Sequence, residues 1–104
     1  MSAGDVVGQV GTRLLFEDES CRVWLLELEP GGASDWHVHD HPYVFVVTKA
    51  GVVQTEYRDG SVELQDGDPI GSAQLRYPDA GHRLVNVGTT RYRNIVVELK
   101  EPTA

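Results

Sequence analysis

The chain is predicted to be all-β, an antiparallel jelly-roll β-barrel, and two observations carry that prediction. Short runs of β-forming residues recur at nearly regular spacing from Thr12 onward, each closed by turn residues, as in a sandwich or barrel and unlike a βαβ chain. No apolar i, i+3, i+4 pattern persists long enough for a convincing helix. About eight or nine antiparallel strands that close on themselves make a jelly roll. The 104 residues read as one domain spanning 1–104, with the barrel over about 11–99, and no repeat or linker divides them.

The elements follow in order. Arg13–Glu17 is a first β-like run, and 21–29 a second, ended by Pro30-Gly31-Gly32, where proline removes a backbone donor and the glycines allow a sharp turn. Residues 34–39 are read as the next extended segment. Pro42 then breaks the chain, because its ring disfavours helix at His41 and cannot donate to a central ladder. Tyr43–Lys49 restarts as a nearly all-apolar strand, the pattern of a segment buried on both faces. Val52–Tyr57 and 61–65 flank Asp59-Gly60, a tight-hairpin signal because glycine accepts positive φ. Asp66-Gly67-Asp68-Pro69 turns again, 70–77 follows, His82, Leu84 and Asn86 share one face of a later strand, and 91–99 closes the barrel.

A formal net charge of -7 and a pI near 4.9 argue against a nucleic-acid or anionic-membrane partner, both of which reward a basic patch. The single cysteine, Cys21, excludes an internal disulfide, fits a reducing compartment and reads as a small buried thiol. Residues 2–8 are small and polar, with no secretory apolar run, and no stretch is long and apolar enough to span a membrane. A cytoplasmic location is the expectation.

The chemistry concentrates in Gly31-Gly32-Ala33-Ser34-Asp35-Trp36-His37-Val38-His39-Asp40-His41-Pro42, which holds three of the four histidines. In an extended segment, His37 and His39 point to the same side, which makes half a metal site. His41 continues the same parity, where it would bind or carry protons near neutral pH, or the turn at Pro42 would swing it to the rim or into solvent. The fourth histidine is His82.

These residues resemble the two signatures of the cupin family. Gly31, His37, His39 and Gly51 fall at the spacings of the first signature. Gly71, Pro78, Gly81, His82 and Asn86 follow the second, with Pro78 to His82 one residue short. By this resemblance His37, His39 and His82 are the metal ligands, and the position of the family's usual glutamate ligand is Val44. The first shell is then three neutral imidazoles and no carboxylate, which suits Fe(II), favoured here, and also Zn, Ni, Mn or Cu. A three-histidine cupin is similar to non-haem iron dioxygenases that act on small organic molecules, with lyase or isomerase chemistry left open. The alternative is a module that binds or senses a small ligand or metal without turnover, and behind it a metal-free interaction domain. In the enzyme reading His41, Tyr57 or Tyr77 handles protons. Asn86 braces a ligand loop or is structural. One of Arg76, Arg91 and Arg93 facing inward would favour a carboxylate substrate. Trp24 and Trp36 read as core or pocket-mouth aromatics. The resemblance implies a homodimer paired through its sheets, with a small molecule as the other partner.

Overall fold

Turn chemistry cuts the chain where expected, and the computed structural model, which describes residues 9–100, contains eight strands and no helix among them. They are β1 (Arg13–Glu17), β2 (Cys21–Leu28), β3 (Tyr43–Lys49), β4 (Val52–Tyr57), β5 (Val62–Asp66), β6 (Ala73–Arg76), β7 (His82–Asn86) and β8 (Tyr92–Leu99). The polar stretch 2–8 lies outside the described residues. No helix among them is long and apolar enough to cross a membrane.

The strands form two antiparallel sheets, one ordered β1-β2-β8-β3-β6 and the other β5-β4-β7. This is the jelly-roll arrangement the turn spacing predicts. The β4–β5 hairpin turns at Asp59-Gly60, where Gly60 takes φ 91° and Asp59 Oδ1 accepts the Ser61 N–H at 2.8 Å.

Two expectations are corrected. Residues 34–39 do not form a regular strand: the segment touches β7 only through isolated bridges, Ala33 to Val85 and His37 to His82. Ser34 Oγ accepts the Leu84 N–H at 2.9 Å where a continued ladder would use a backbone carbonyl, and Pro42 ends any ladder, so the backbone is extended without being fully paired. The predicted strand 70–77 likewise shrinks to Ala73–Arg76, because Gly71 sits at φ 89° in a turn whose backbone bonds run Ser72 N–H to Pro69 and Gly71 N–H to Val47.

Register stacks the inward side chains in layers. Tyr43 lies opposite Glu98 on one side and Arg76 on the other, and Tyr57 lies opposite His82. Below them Phe45 pairs with Val96, and Thr55 with Leu84. Val47, Val53, Asn86 and Tyr92 close the barrel beneath, each no more than 2% exposed. Asn86 is structural there: its Nδ2 donates to the carbonyls of Leu28 at 2.9 Å and Thr90 at 2.8 Å, and its Oδ1 accepts the Gly88 N–H. It ties the β7–β8 turn to the end of β2.

β3 is not buried on both faces. Tyr43, Phe45 and Val47 point in, while Val44 and Val46 are half-buried on the outside. The outer face of the five-stranded sheet is apolar over all five strands in one row and over four in the next, where Arg13 stands opposite Leu25. One row runs Phe16, Val23, Val97, Val44, Leu75, and the next runs Leu25, Ile95, Val46, Ala73, each set directly opposite in register. Phe16 and Leu75 are 52% and 51% exposed. Cys21, half-buried rather than buried, stands opposite Leu99 at one end of this face. Glu27, bonded to Arg91 and Arg93, bounds the other. Arg91 and Arg93 therefore point away from the barrel interior.

Candidate metal centre

Three imidazoles that arrive from different parts of the chain meet at the upper layer. His37 and His39 enter on the extended segment, and His82 opens β7, joined to His37 by a reciprocal backbone pair at 3.0 Å in each direction. All three are nearly inaccessible, and their ligand nitrogens lie within 4.8 Å of one another. The His37 ring centroid is 4.9 Å from that of His39 and 4.6 Å from that of His82.

Two of the three rings have a hydrogen-bonded acceptor at Nδ1, and the third faces a carboxylate without bonding to it. For His37 it is the Asp35 carbonyl at 2.8 Å; for His82 it is the Asp79 carboxylate, at 2.9 Å to Oδ2. His39 faces Glu98 Oε2 at 3.4 Å, a long contact without hydrogen-bond alignment. A proton on Nδ1 leaves Nε2 as the free lone pair, which is how imidazoles are oriented for a metal. Burial lowers the His37 pKa from 6.5 to about 4, and the neighbouring His82 adds to the effect. Burial also lowers His82, against the opposing pull of Asp79. At neutral pH both are therefore unprotonated donors. Three clustered imidazoles, two of them anchored at Nδ1, are a donor set that fits a divalent transition metal.

The anchors are built by local sequence. Asp79, Ala80 and Gly81 turn tightly before His82. Gly81 takes φ 126°, and its N–H joins the His82 ring on the Asp79 carboxylate, at 2.8 Å to Oδ1. A Cβ at Gly81 would stand 2.7 Å from Arg58 Nε. Burial works to raise Asp79, but the Gly81 N–H and His82 outweigh it and hold its carboxyl below the usual range. Glu98, 1% exposed on β8, accepts the Trp24 indole N–H at 2.6 Å and faces Arg22 at 3.4 Å. Burial again opposes ionisation, and His39, Trp24 and Arg22 together hold Glu98 below its ordinary value. The segment carrying His37 and His39 is held by Trp36, whose ring has the guanidinium groups of Arg83 at 5.0 Å and Arg58 at 5.4 Å from its centroid.

The fourth side of the site is Tyr43, and this corrects the assignment of that position to Val44. Val44 is on the outer face; Tyr43 faces in, its ring stacked on His39 at 3.6 Å and 14°. Burial, with Asp79 nearby, pushes its phenol pKa up, so it stays protonated.

The histidines open on a cavity of about 310 Å3. Leu26, Phe45, Leu84 and Val96 line its apolar part, and Arg76, Tyr57 and Tyr77 its polar rim. Tyr57 is 6.0 Å from His82 by ring centroids, and burial followed by Glu63 raises its pKa. Tyr77 is 68% exposed. His41 is half-buried in the bend before Pro42, outside the histidine cluster and away from the cavity wall. Trp24 is a core aromatic, one of the two places the sequence offers it, whereas the sequence assigns no site role to Asp79, Glu98 or Tyr43. The available signals were an Asp three residues before His82, and the parity Tyr92, Asn94, Val96, Glu98 along β8.

Comparisons agree on the architecture. No family model and no curated protein matches the chain. Among solved structures, a cupin domain from Bordetella pertussis superposes with a TM-score of 0.74 at 23% identity, covering 86% of this chain and 91% of that one. A conserved protein with a double-stranded β-helix domain from Klebsiella pneumoniae gives 0.69 at 19% identity, over 100% of this chain and 84% of that one. A sugar phosphate isomerase of the cupin superfamily from Silicibacter pomeroyi gives 0.57 at 23% identity, over 80% of this chain and 52% of that one. With β-strands, barrel layers and a buried histidine cluster in this arrangement, the chain has the cupin fold.

Proposed function

We propose that this protein is a small metal-dependent cupin acting on a small organic molecule, with His37, His39 and His82 as the metal ligands and Fe(II) as the metal. The observation that carries the reading is the set of three buried imidazoles on one cavity, two of them oriented by acceptors at Nδ1 and the third facing the Glu98 carboxylate. Iron bound there would supply oxygen-dependent redox chemistry to a substrate held beside it. Around that centre the chain's own groups divide the work. Leu26, Phe45, Leu84 and Val96 exclude water from the substrate body. Tyr57, protonated at neutral pH, donates or returns a proton at the rim, and Tyr43 keeps the His39 ring in place by stacking on it. Tyr77 offers a second phenol at the mouth. The second reading, a module that binds without turnover, rests on the same cavity and predicts ligand affinity with no oxygen uptake.

The test is the metal content of tag-free protein prepared without chelators, set beside His82→Ala. Near-stoichiometric metal that vanishes in the variant supports the three-histidine site; iron directs the next assay to oxygen uptake, zinc or nickel to hydrolysis and isomerisation. Protein that stays metal-free after anaerobic loading with Fe(II) overturns the reading.

We also propose that two copies pair through the apolar outer face of the five-stranded sheet. Five strands at about 4.8 Å spacing span about 24 Å and the apolar rows cover roughly 20 Å along the strands, on the order of 500 Å2 before side-chain relief and the rim are counted. That approaches the ~800 Å2 per partner of a standard interface. A face that is apolar and closed off by the Glu27–Arg91–Arg93 ion pairs matches a second copy of itself about a twofold axis. Sedimentation should give a dimer for the wild type and a monomer for Val97→Lys; a monomeric wild type at tens of micromolar overturns the pairing.

A further inference from the structure

Among the described residues Arg76 is the one arginine or lysine that lines the cavity, and nothing in the metal-site argument uses it. It sits on β6 directly opposite Tyr43 in register, on the face that turns inward. Its Nη2 is occupied, donating to Glu63 Oε1 at 3.0 Å and to Gln74 Oε1 at 2.7 Å. Both bonds leave from the same nitrogen. The N–H of Nε and the two of Nη1 find no acceptor among the described residues. A guanidinium held on one side by two partners, with three donors left over beside a cavity, is prepared for an anion.

Resting on the reading of this cavity as the substrate site, we propose that the ligand is a small organic acid whose carboxylate is held by Arg76. The apolar wall of Leu26, Phe45, Leu84 and Val96 takes its hydrocarbon body. Several features favour a monocarboxylate. Asp79, the acidic group on the cavity wall, is already engaged by His82 and Gly81, so it does not neutralise Arg76. Glu63, paired with Arg76 from the outside, tempers the positive field enough to disfavour a dianion such as a phosphate ester, which its charge repels more strongly. The Arg76 charge also reaches Tyr43, Tyr57 and His82, so it acts on the part of the cavity where the ligand's polar end would lie.

The test compares pentanoate with its neutral isostere pentanamide by calorimetric or NMR titration, in metal-free and in Zn(II)-loaded full-length protein. Pentanoate should bind more tightly than pentanamide. Arg76→Gln should weaken pentanoate by tenfold or more and leave pentanamide unchanged, and Arg76→Lys should restore part of the difference. Glu63→Gln, which frees Nη2 and removes the competing charge, should tighten pentanoate several-fold. Equal losses for acid and amide in Arg76→Gln, or no loss, would overturn the proposal, as would tighter binding of propyl phosphate than of pentanoate. Zn(II) affinity is read separately in each variant, so that any effect of the Arg76 charge on His82 is separated from its effect on the acid. Failure to bind Zn(II) would count against the metal reading alone, because the acid–amide comparison in metal-free protein still decides the role of Arg76.

Discussion

Lowering the pH of the metal-free protein should destabilise it well before its carboxylates titrate, and His37 sets the size of the effect. Burial takes its pKa from 6.5 to about 4. A depressed histidine pKa means that the unfolded chain binds the proton first, so stability is lost as pH falls below the unfolded value and levels off near the folded one. Between pH 7 and pH 4.5 a shift of that size removes about 2.5 kcal/mol. For a domain of this length that corresponds to a fall in Tm of roughly 10–20 °C. His82, shifted in the same direction by its burial, steepens the fall. Urea titrations of chelator-treated protein at half-unit pH steps measure it, with His37→Gln alongside. The variant should lose most of the slope over this window. A wild-type profile that is flat from pH 7 to pH 4.5, or a variant with undiminished slope, would refute the assignment of His37 as a buried neutral imidazole.

Three further outcomes follow from the anchors. Asp79→Ala should weaken Zn(II) binding about 10–100-fold in chelator competition, because His82 loses the carboxylate that orients its ring, while Asp79→Asn should lose less by retaining an acceptor; equal affinity in all three proteins would mean that His82 is not held by this contact. Gly81→Ala should destabilise the fold by about 1–3 kcal/mol, since an L-residue is strained at φ 126°, and thermal melts check it. Glu98→Gln should cost about 1–3 kcal/mol, because a buried acceptor of the Trp24 and Arg22 donors loses its charge; a change under 0.5 kcal/mol in denaturant melts would show that the charge does not matter there.

The sequence made the barrel and the histidines legible for physical reasons. Turn residues such as Asp59-Gly60 admit few conformations, and the alternation of His37 and His39 needs only an extended backbone, not a paired strand. That is why both rings converge although residues 34–39 make only isolated bridges to β7. Parity was lost where both faces of a strand are apolar. Nothing in Tyr43-Val44-Phe45-Val46-Val47 says which side is inside, so parity offers no check on the signature spacing that sets Val44 at the glutamate position, and the inward residue is Tyr43. The same ambiguity hid the outer apolar face. Glu98 was illegible for another reason: its partners, Trp24 and His39, are far away in sequence, and only the pairing of β8 with β2 and β3 brings them together.

The Trp24–Glu98–His39 contact turns one residue of the barrel into an optical gauge. The indole N–H rests on a carboxylate that faces a candidate ligand, at 2.6 Å on one side and 3.4 Å on the other. Trp36 has a different environment, beside the guanidinium groups of Arg58 and Arg83. In a Trp36→Phe background, emission would come from Trp24 alone, and an open-shell ion such as Cu(II) would dim it in proportion to occupancy. Site filling would then be followed in real time without label, chromophoric chelator or knowledge of the substrate.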